Sequence, residues 1–235
     1  MSRRAILPHS VYKREQAAIS RRTLVPVTIF YTTAAMVLLI LGLRSAHPYW
    51  ALVFFALGLP VWTMVEYSSH RYVFHRHWKI SKRKYKKYFT YLSNKYLDPT
   101  HFGHHEKPFD GMMINGKLKD LMPVFLVSLA VSLLFFPFYS APLLLGGVVQ
   151  CYVLEEWAHH CMHYYHFNNR YFRHIKKYHL YHHTNKGMHH GYGITSAFWD
   201  VVLSSRFPPE VRQHLFGPKD VTVRTNPAPS EQRAT

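Results

Sequence analysis

Apolar and polar positions separate along this chain into long uncharged runs and dense basic blocks. Residues 24 to 43, LVPVTIFYTTAAMVLLILGL, carry no charge over the roughly 20 residues that a helix needs to cross a hydrocarbon core. Residues 48 to 65, PYWALVFFALGLPVWTMV, form a second such run. Glu66 closes it, and Pro48, Tyr49 and Trp50, which suit a membrane interface, open it. No charge occurs from Leu121 to Leu154. One straight helix of that length would reach about 50 Å at 1.5 Å per residue, far beyond a core of about 30 Å. Pro137 and Pro142, on either side of FYSA, therefore split it into two short spans.

The pattern predicts an all-α integral membrane protein with about four transmembrane helices, over residues 24–43, 48–66, 121–137 and 141–158. Residues 1–23 read as a basic cytosolic leader, 67–120 and 159–217 as a cytosolic helical cap on a membrane-embedded domain of 24–217, and 218–235 as a loosely ordered tail. The leader is too long for a signal peptide and no small-residue cleavage site closes the first apolar run, so that run is expected to be retained.

Charge then sets the orientation. The chain has 29 Lys and Arg against 12 Asp and Glu, a formal charge of +17. The cations collect in the leader, in HRHWKISKRKYKKY after the second run, and at Arg170, Arg173, Lys176, Lys177 and Lys186 after the last. With four spans all three blocks lie on one side, opposite the nearly uncharged RSAH and PFYSAP loops, which makes the cationic side cytoplasmic. Such basicity could also suit nucleic acid, but a juxtamembrane run like SKRKYKK reads as a face on anionic lipid headgroups, and no nucleic-acid partner is expected.

Histidine is the anomaly, with 19 copies against two cysteines, Cys151 and Cys161. Neither a disulfide framework nor a thiolate zinc site is supported. His70 and His75 (EYSSHRYVFH), His101, His104 and His105 (HFGHHEKPFD), His159 and His163 (EEWAHHCMH), and His179, His182 and His183 (HLYHH) all fall on the predicted cytoplasmic face. Helical neighbours three or four apart share a face, so three of these clusters can each aim several rings inward. His70 and His75, five apart, diverge by about 140° on an ideal helix, which calls for different metals or a local distortion. Converging imidazoles of this number point to a polynuclear metal site. Imidazole suits iron, zinc and copper alike, so the ligands do not name the ion.

Glu66, Asp110, Glu155, Glu156 and Asp200 lie near these histidines in sequence. Metal-bound imidazoles commonly donate their second N–H to a carboxylate or carbonyl, and Glu66, Asp110, Glu156 and Asp200 are the candidates for that role. Gly191 and Gly193 in GYGITSAFWD fit a tight turn near the site, and Trp157, Trp199 and the tyrosines read either as the lining of an acyl channel or as core and interface aromatics.

The order His-x4-His, His-x2-His-His with Pro-Phe-Asp, His-x3-His, His-x2-His-His and GYGITSAFWD resembles the fatty acid hydroxylase and sterol desaturase superfamily, most closely its fatty acid 2-hydroxylase branch. The resemblance covers roughly residues 60 to 205. It implies a dinuclear iron centre, with zinc able to replace iron on purification, that uses O2 and external electrons to hydroxylate a lipid acyl chain at C2. The implied ligands are His70, His75, His101, His104, His105, His159, His163, His179, His182 and His183, with no other catalytic side chain. His160, His166, His189 and His190 lie outside that pattern, and Tyr164 stands where the family often has another histidine.

Some such hydroxylases carry a fused cytochrome b5 domain with a His-Pro-Gly-Gly motif. Here His47 and Pro48 are followed by Tyr49 and Trp50, so the expected donor is a separate protein such as a cytochrome b5-like protein or a ferredoxin. The expected location is a bacterial inner membrane, or the endoplasmic reticulum in a eukaryote. Two other readings compete: a sterol or carotenoid hydroxylase or desaturase of the same superfamily, and a histidine-rich membrane metal transporter or storage protein. HHEKPFD and GYGIT favour the acyl branch over the former. A transporter should place polar groups near the bilayer midplane, whereas these histidines fall at one end of the spans.

Overall fold

The computed structural model describes residues 9–76 and 79–217, all of it helix and connecting segments with no strand among the described residues. The expected tail and the first residues of the leader lie outside them. The helices are α1 (His9–Leu43), α2 (Pro48–Ser69), α3 (Lys84–Glu106), α4 (Leu118–Phe135), α5 (Ala141–Tyr164), α6 (Arg170–His182), α7 (Phe198–Val202) and α8 (Pro209–Phe216), with a π-helical turn, His70–Phe74, continuing α2.

In its described part the predicted leader is helical and continuous with the first apolar run. One 35-residue helix runs through it into the first apolar run. The reason is a single buried stripe, Ala17, Ser20, Leu24, Val27, Tyr31, Ala35 and Leu38, whose three- and four-residue steps cross from the charged stretch into the oily one without a break. At the other proline-marked boundary, α4 ends at Phe135 and α5 starts at Ala141, with Pro137 between them and Pro142 in the first turn of α5.

Helix α5 is central and packs chiefly on α1 and α2. Val27, Tyr31 and Ala35 of α1, Phe125 of α4, and Val149, Tyr152 and Val153 of α5 form the main core. The crossing of α2 and α5 is set by two glycines. A Cβ on Gly147 would stand 2.0 Å from the Phe55 carbonyl oxygen, and one on Gly58 would stand 2.3 Å from the Gly147 carbonyl carbon. Only hydrogens fit at this contact, as is common where membrane helices approach closely.

Among the described residues, three helical stretches are long and apolar enough to cross a membrane: Ser10–Leu43, Pro48–Phe74 and Leu118–Phe135. Their outward side chains are large and apolar, including Ile29, Leu41, Leu59, Val127, Leu134 and Phe135. Helix α5 has 24 residues, but its second half holds Glu155, Glu156, His159, His160 and His163, all buried among its neighbours. Being enclosed, it can carry this polarity where a lipid-facing helix could not.

The two ends of the bundle differ. At one, Leu38, Ala51 and Leu143 join the end of α1 to the starts of α2 and α5. At the other, the first turns of α1, the end of α2, the end of α5 and helices α3 and α6 meet, and the histidines gather there.

Candidate metal centre

The π turn resolves the awkward spacing of His70 and His75. The His75 N–H donates to the His70 carbonyl at 3.1 Å, a bond spanning five residues, so the two positions stack one hydrogen-bonded turn apart. Their ring centroids are 4.9 Å apart. Of the two alternatives left open by the sequence, the local distortion is the one observed.

Two groups of rings result. The ligand nitrogens of His104, His159, His163, His179 and His183 lie within 4.8 Å of one another, as do those of His70, His75, His105 and His182. His101 stands at the edge of the second group, its ring centroid 5.0, 4.6 and 4.7 Å from those of His70, His75 and His105. The groups share a wall, with the His105 and His183 rings 4.4 Å apart. The His-x2-His-His motif acquires a geometric meaning here. Consecutive residues on a helix point about 100° apart, so His104 and His105 enter different groups, and so do His182 and His183. Within each motif the outer pair, four apart, serves one group and the middle histidine the other.

The donor set fits cations better than a hydrogen-bonded cluster. Nε2 atoms follow one another in a chain: His104 to His159 at 3.1 Å, His159 to His163 at 3.1 Å, His163 to His179 at 2.9 Å and His179 to His183 at 3.0 Å. A neutral ring nitrogen is either an N–H or a lone pair. Even with His104, His163 and His183 all carrying the proton, only three of these four contacts could be hydrogen bonds. In the second group, His70 Nδ1 bonds the Tyr192 carbonyl and His182 Nδ1 the His190 carbonyl at 2.7 Å, which leaves both Nε2 lone pairs facing inward. Nε2 of His101 and of His105 is buried with no hydrogen-bond partner. A cation in each group would accept these lone pairs at once.

Electrostatics favours the same state. Burial, reinforced by neighbouring imidazoles, holds His101, His104, His179, His182 and His183 well below the usual histidine range, and burial brings His105 down to about 4. These rings stay neutral at physiological pH, the form that binds metal.

The acidic residues act differently from expectation. Among the described residues none of the four sequence candidates hydrogen-bonds a clustered ring. Glu66 accepts Ile194 N–H at 2.7 Å and Thr195 N–H at 3.1 Å on one oxygen and the Thr195 hydroxyl at 2.6 Å on the other. Asp200 accepts Tyr192 N–H at 2.9 Å, Gly193 N–H at 2.8 Å and the Ser205 hydroxyl at 2.6 Å. Both carboxylates thus fix the 190–195 loop, whose carbonyls in turn orient His70 and His182. Glu156 accepts Gly116 N–H at 3.1 Å and holds the loop after α3, while Asp110 only caps its own turn through Met112 N–H at 3.0 Å.

Gly191 stands at φ +70°, the left-handed conformation that glycine tolerates, and its N–H bonds the Ser205 carbonyl at 2.9 Å. The tight turn read from GYGIT is therefore present. Trp157 and Trp199 tie helices together: their indole N–H groups bond Thr28 at 2.8 Å and Thr63 at 3.1 Å.

His160, outside the sequence pattern, is fully buried and its Nδ1 meets the Ser20 hydroxyl at 2.7 Å, with Asn115 on the same serine. It joins α5 to α1 and points away from the two groups. Its spacing carried one hint: it sits one position off the His159/His163 face.

Comparison with known proteins places the chain among lipid hydroxylases. The family model described as fatty acid hydroxylase matches residues 55–205. A dihydroceramide fatty acyl 2-hydroxylase of Arabidopsis thaliana is 34% identical over 154 residues, which is 64% of this chain and 59% of that protein. A ceramide very long chain fatty acid hydroxylase of Schizosaccharomyces pombe is 30% identical over 164 residues, 67% of this chain and 43% of that one. The solved structure of full-length Scs7p, of which only the hydroxylase domain is visible, superposes with a TM-score of 0.64 at 26% identity, covering 78% of this chain and 66% of that chain. The chain spans between 39% and 59% of the length of the curated relatives it matches.

Proposed function

The chain belongs to the fatty acid hydroxylase family, and from that premise we propose that it is a membrane-bound, O2-dependent monooxygenase that hydroxylates C2 of a lipid acyl chain. The observation that carries this reading is the pair of adjoining imidazole groups at one end of membrane-crossing helices. Two iron ions would be held by His104, His159, His163, His179 and His183 on one side and by His70, His75, His105 and His182, with His101 at the edge, on the other. When bound, they supply dioxygen activation with two external electrons, which redox-silent zinc in the same ligands would not. The protein's part is to keep the rings neutral and inward-facing, to fix His70 and His182 through the loop that Glu66 and Asp200 hold, and to keep water out.

In this reading α5 is a fourth span, the cationic end faces the cytoplasm, α3 and α6 to α8 form a cap there, and the electrons arrive from a separate donor protein. The position of attack follows from depth. A lipid entering sideways presents the carbons nearest its polar end to a site at the helix ends, while its tail remains in the hydrocarbon. The relatives named for dihydroceramide and ceramide substrates support an acyl group next to a polar linkage.

Lipid mass spectrometry of cells with the protein, without it and with His104→Ala tests the proposal. One lipid class should gain a single oxygen in the first sample alone, and fragmentation should place it at C2. A hydroxyl near the methyl end, or on a sterol or carotenoid ring, would overturn the acyl C2 assignment. Single cysteines at Ser45 and Ser81 should label from opposite sides of the membrane, and labelling from the same side would refute the topology.

A further inference from the structure

Helix α3 leads two lives along its length. Its last turns carry His101, His104 and His105 into the metal groups. Its first turns, KYKKYFTYL, are solvent-facing: Tyr85 and Tyr88 are each 73% exposed and Phe89 is 60% exposed.

Placed on an ideal helix at about 100° per residue, with Tyr85 at zero, Tyr88 falls at about 300°, Phe89 at about 40° and Leu92 at about 340°. These four make one apolar stripe about 100° wide. His101, His104 and His105 fall at about 160°, 100° and 200°, on the opposite face. Lys84, at about 260°, and Lys86, at about 100°, flank the stripe, and both are exposed. Lys82 and Arg83 precede it, also exposed, and no acidic residue occurs between Glu66 and Asp98. The incoming chain is tied on the far side, where Ser81 N–H bonds the Thr90 hydroxyl at 2.9 Å, at about 140°. Tyr85, Tyr88 and Phe89 stay exposed, and Leu92 is half-buried beside them.

A soluble surface has no reason to align exposed aromatic rings this way, and a protein partner would have to match a face ringed by cations. A bilayer supplies both complements. Aromatic side chains favour the headgroup level, and flanking lysines favour anionic phospholipid. The membrane is also close, since the helix before this segment is one of the three able to cross it and ends at Phe74.

We propose that the first half of α3 is an interfacial anchor that beds Tyr85, Tyr88, Phe89 and Leu92 in the headgroup region of an anionic leaflet. The same helix thereby ties His101, His104 and His105 to the membrane surface from which a lipid would enter. The inference rests on the membrane-crossing helices and on the α3 surface, and it stands whatever reaction the metal groups perform.

Spin labels provide the test. The full chain, with Cys151 and Cys161 changed to Ala, takes one label at Tyr88→Cys, on the stripe, or at Lys87→Cys, opposite it. Each is reconstituted in lipid nanodiscs of phosphatidylcholine alone or with about one-third phosphatidylglycerol. In anionic discs the label at 88 should be relaxed several-fold more by oxygen than by a water-soluble nickel complex, and the label at 87 the reverse. K82Q/K84Q/K86Q should bring the label at 88 back toward its value in neutral discs. Equal access of both labels to the nickel complex in anionic discs would overturn the anchor. A contrast at 88 that ignores lipid charge would remove anionic lipid as its partner.

Discussion

Asp200→Asn should loosen the metal groups without touching a metal-facing side chain. The carboxylate is fully buried and takes three donors, Tyr192 N–H, Gly193 N–H and the Ser205 hydroxyl. An amide of the same shape offers one oxygen and turns an NH2 toward a second donor, so at least one buried backbone N–H loses its acceptor. Each such orphan costs about 1–3 kcal/mol, and the bonds that remain lose their charge assistance, roughly half their strength. Against this, burial raises the Asp200 carboxyl above the usual range, so a neutral amide recovers part of the cost of burying the charge.

The net loss should be about 2–4 kcal/mol. It falls on the loop whose Tyr192 carbonyl holds His70 and whose His190 carbonyl holds His182. Outer partners of metal ligands typically change affinity by about 10–100-fold. Metal retained against graded chelator, measured by elemental analysis in detergent, should drop by that factor in D200N. Thermal unfolding should shift down in parallel. Ser205→Ala removes one neutral donor and leaves both backbone bonds, so it should do much less. If D200N unfolds earlier yet holds metal like the parent, the loop carries stability only, and the route from Asp200 through Tyr192 to His70 is wrong.

His104→Ala or His182→Ala should lower metal content, whereas His160→Ala should keep it while destabilising the fold by about 1–3 kcal/mol, because the Ser20 hydroxyl loses a buried partner; metal loss in H160A equal to that in H104A would contradict the assignment. The metal-free protein should be most stable above about pH 6.5, the usual histidine value. His101, His104, His105, His179, His182 and His183 all titrate lower when folded, so below that pH the unfolded chain binds more protons and stability falls, each ring contributing up to about 1.4 kcal/mol per pH unit. Equal unfolding temperatures at pH 7 and pH 5 would count against this. Gly147→Ala should part α2 from α5, since the new methyl meets the Phe55 carbonyl at 2.0 Å, at a cost of about 1–3 kcal/mol or more; parental thermal stability would mean that the two glycines do not set the crossing.

Much of the helical plan was legible because lipid removes choices. A backbone in hydrocarbon must satisfy itself internally, so an uncharged run of sufficient length can only be a helix, and prolines between runs mark where one stops. The continuity of the described part of the leader with the first apolar run was not legible, for an equally physical reason. Charge on Lys13, Arg14, Arg21 and Arg22 hid a buried stripe of small and apolar positions that needs only one face of the helix. Clustering of the histidines was visible in their order, since i, i+3 and i+4 spacings have one geometric consequence on a helix.

The way the rings are held was not legible, because it depends on contacts between segments far apart in the chain. Nothing local marks HRYVF as a π turn; the bond from His75 N–H to His70 C=O is worth keeping only because rings from α3 and α6 lie around both residues. The carboxylates are a similar case. Glu66 lies one helical turn before His70, which suggested a direct bond, yet its oxygens are committed to Ile194 and Thr195, 128 and 129 residues away. Placing charge one step out has a physical advantage. Backbone carbonyls bonded to His70 and His182 fix each tautomer without adding a negative charge beside the imidazole groups, while the carboxylates behind them keep the loop from relaxing. Metal affinity in this protein should therefore respond to the geometry of residues 190–195 more than to the charge of any single acid.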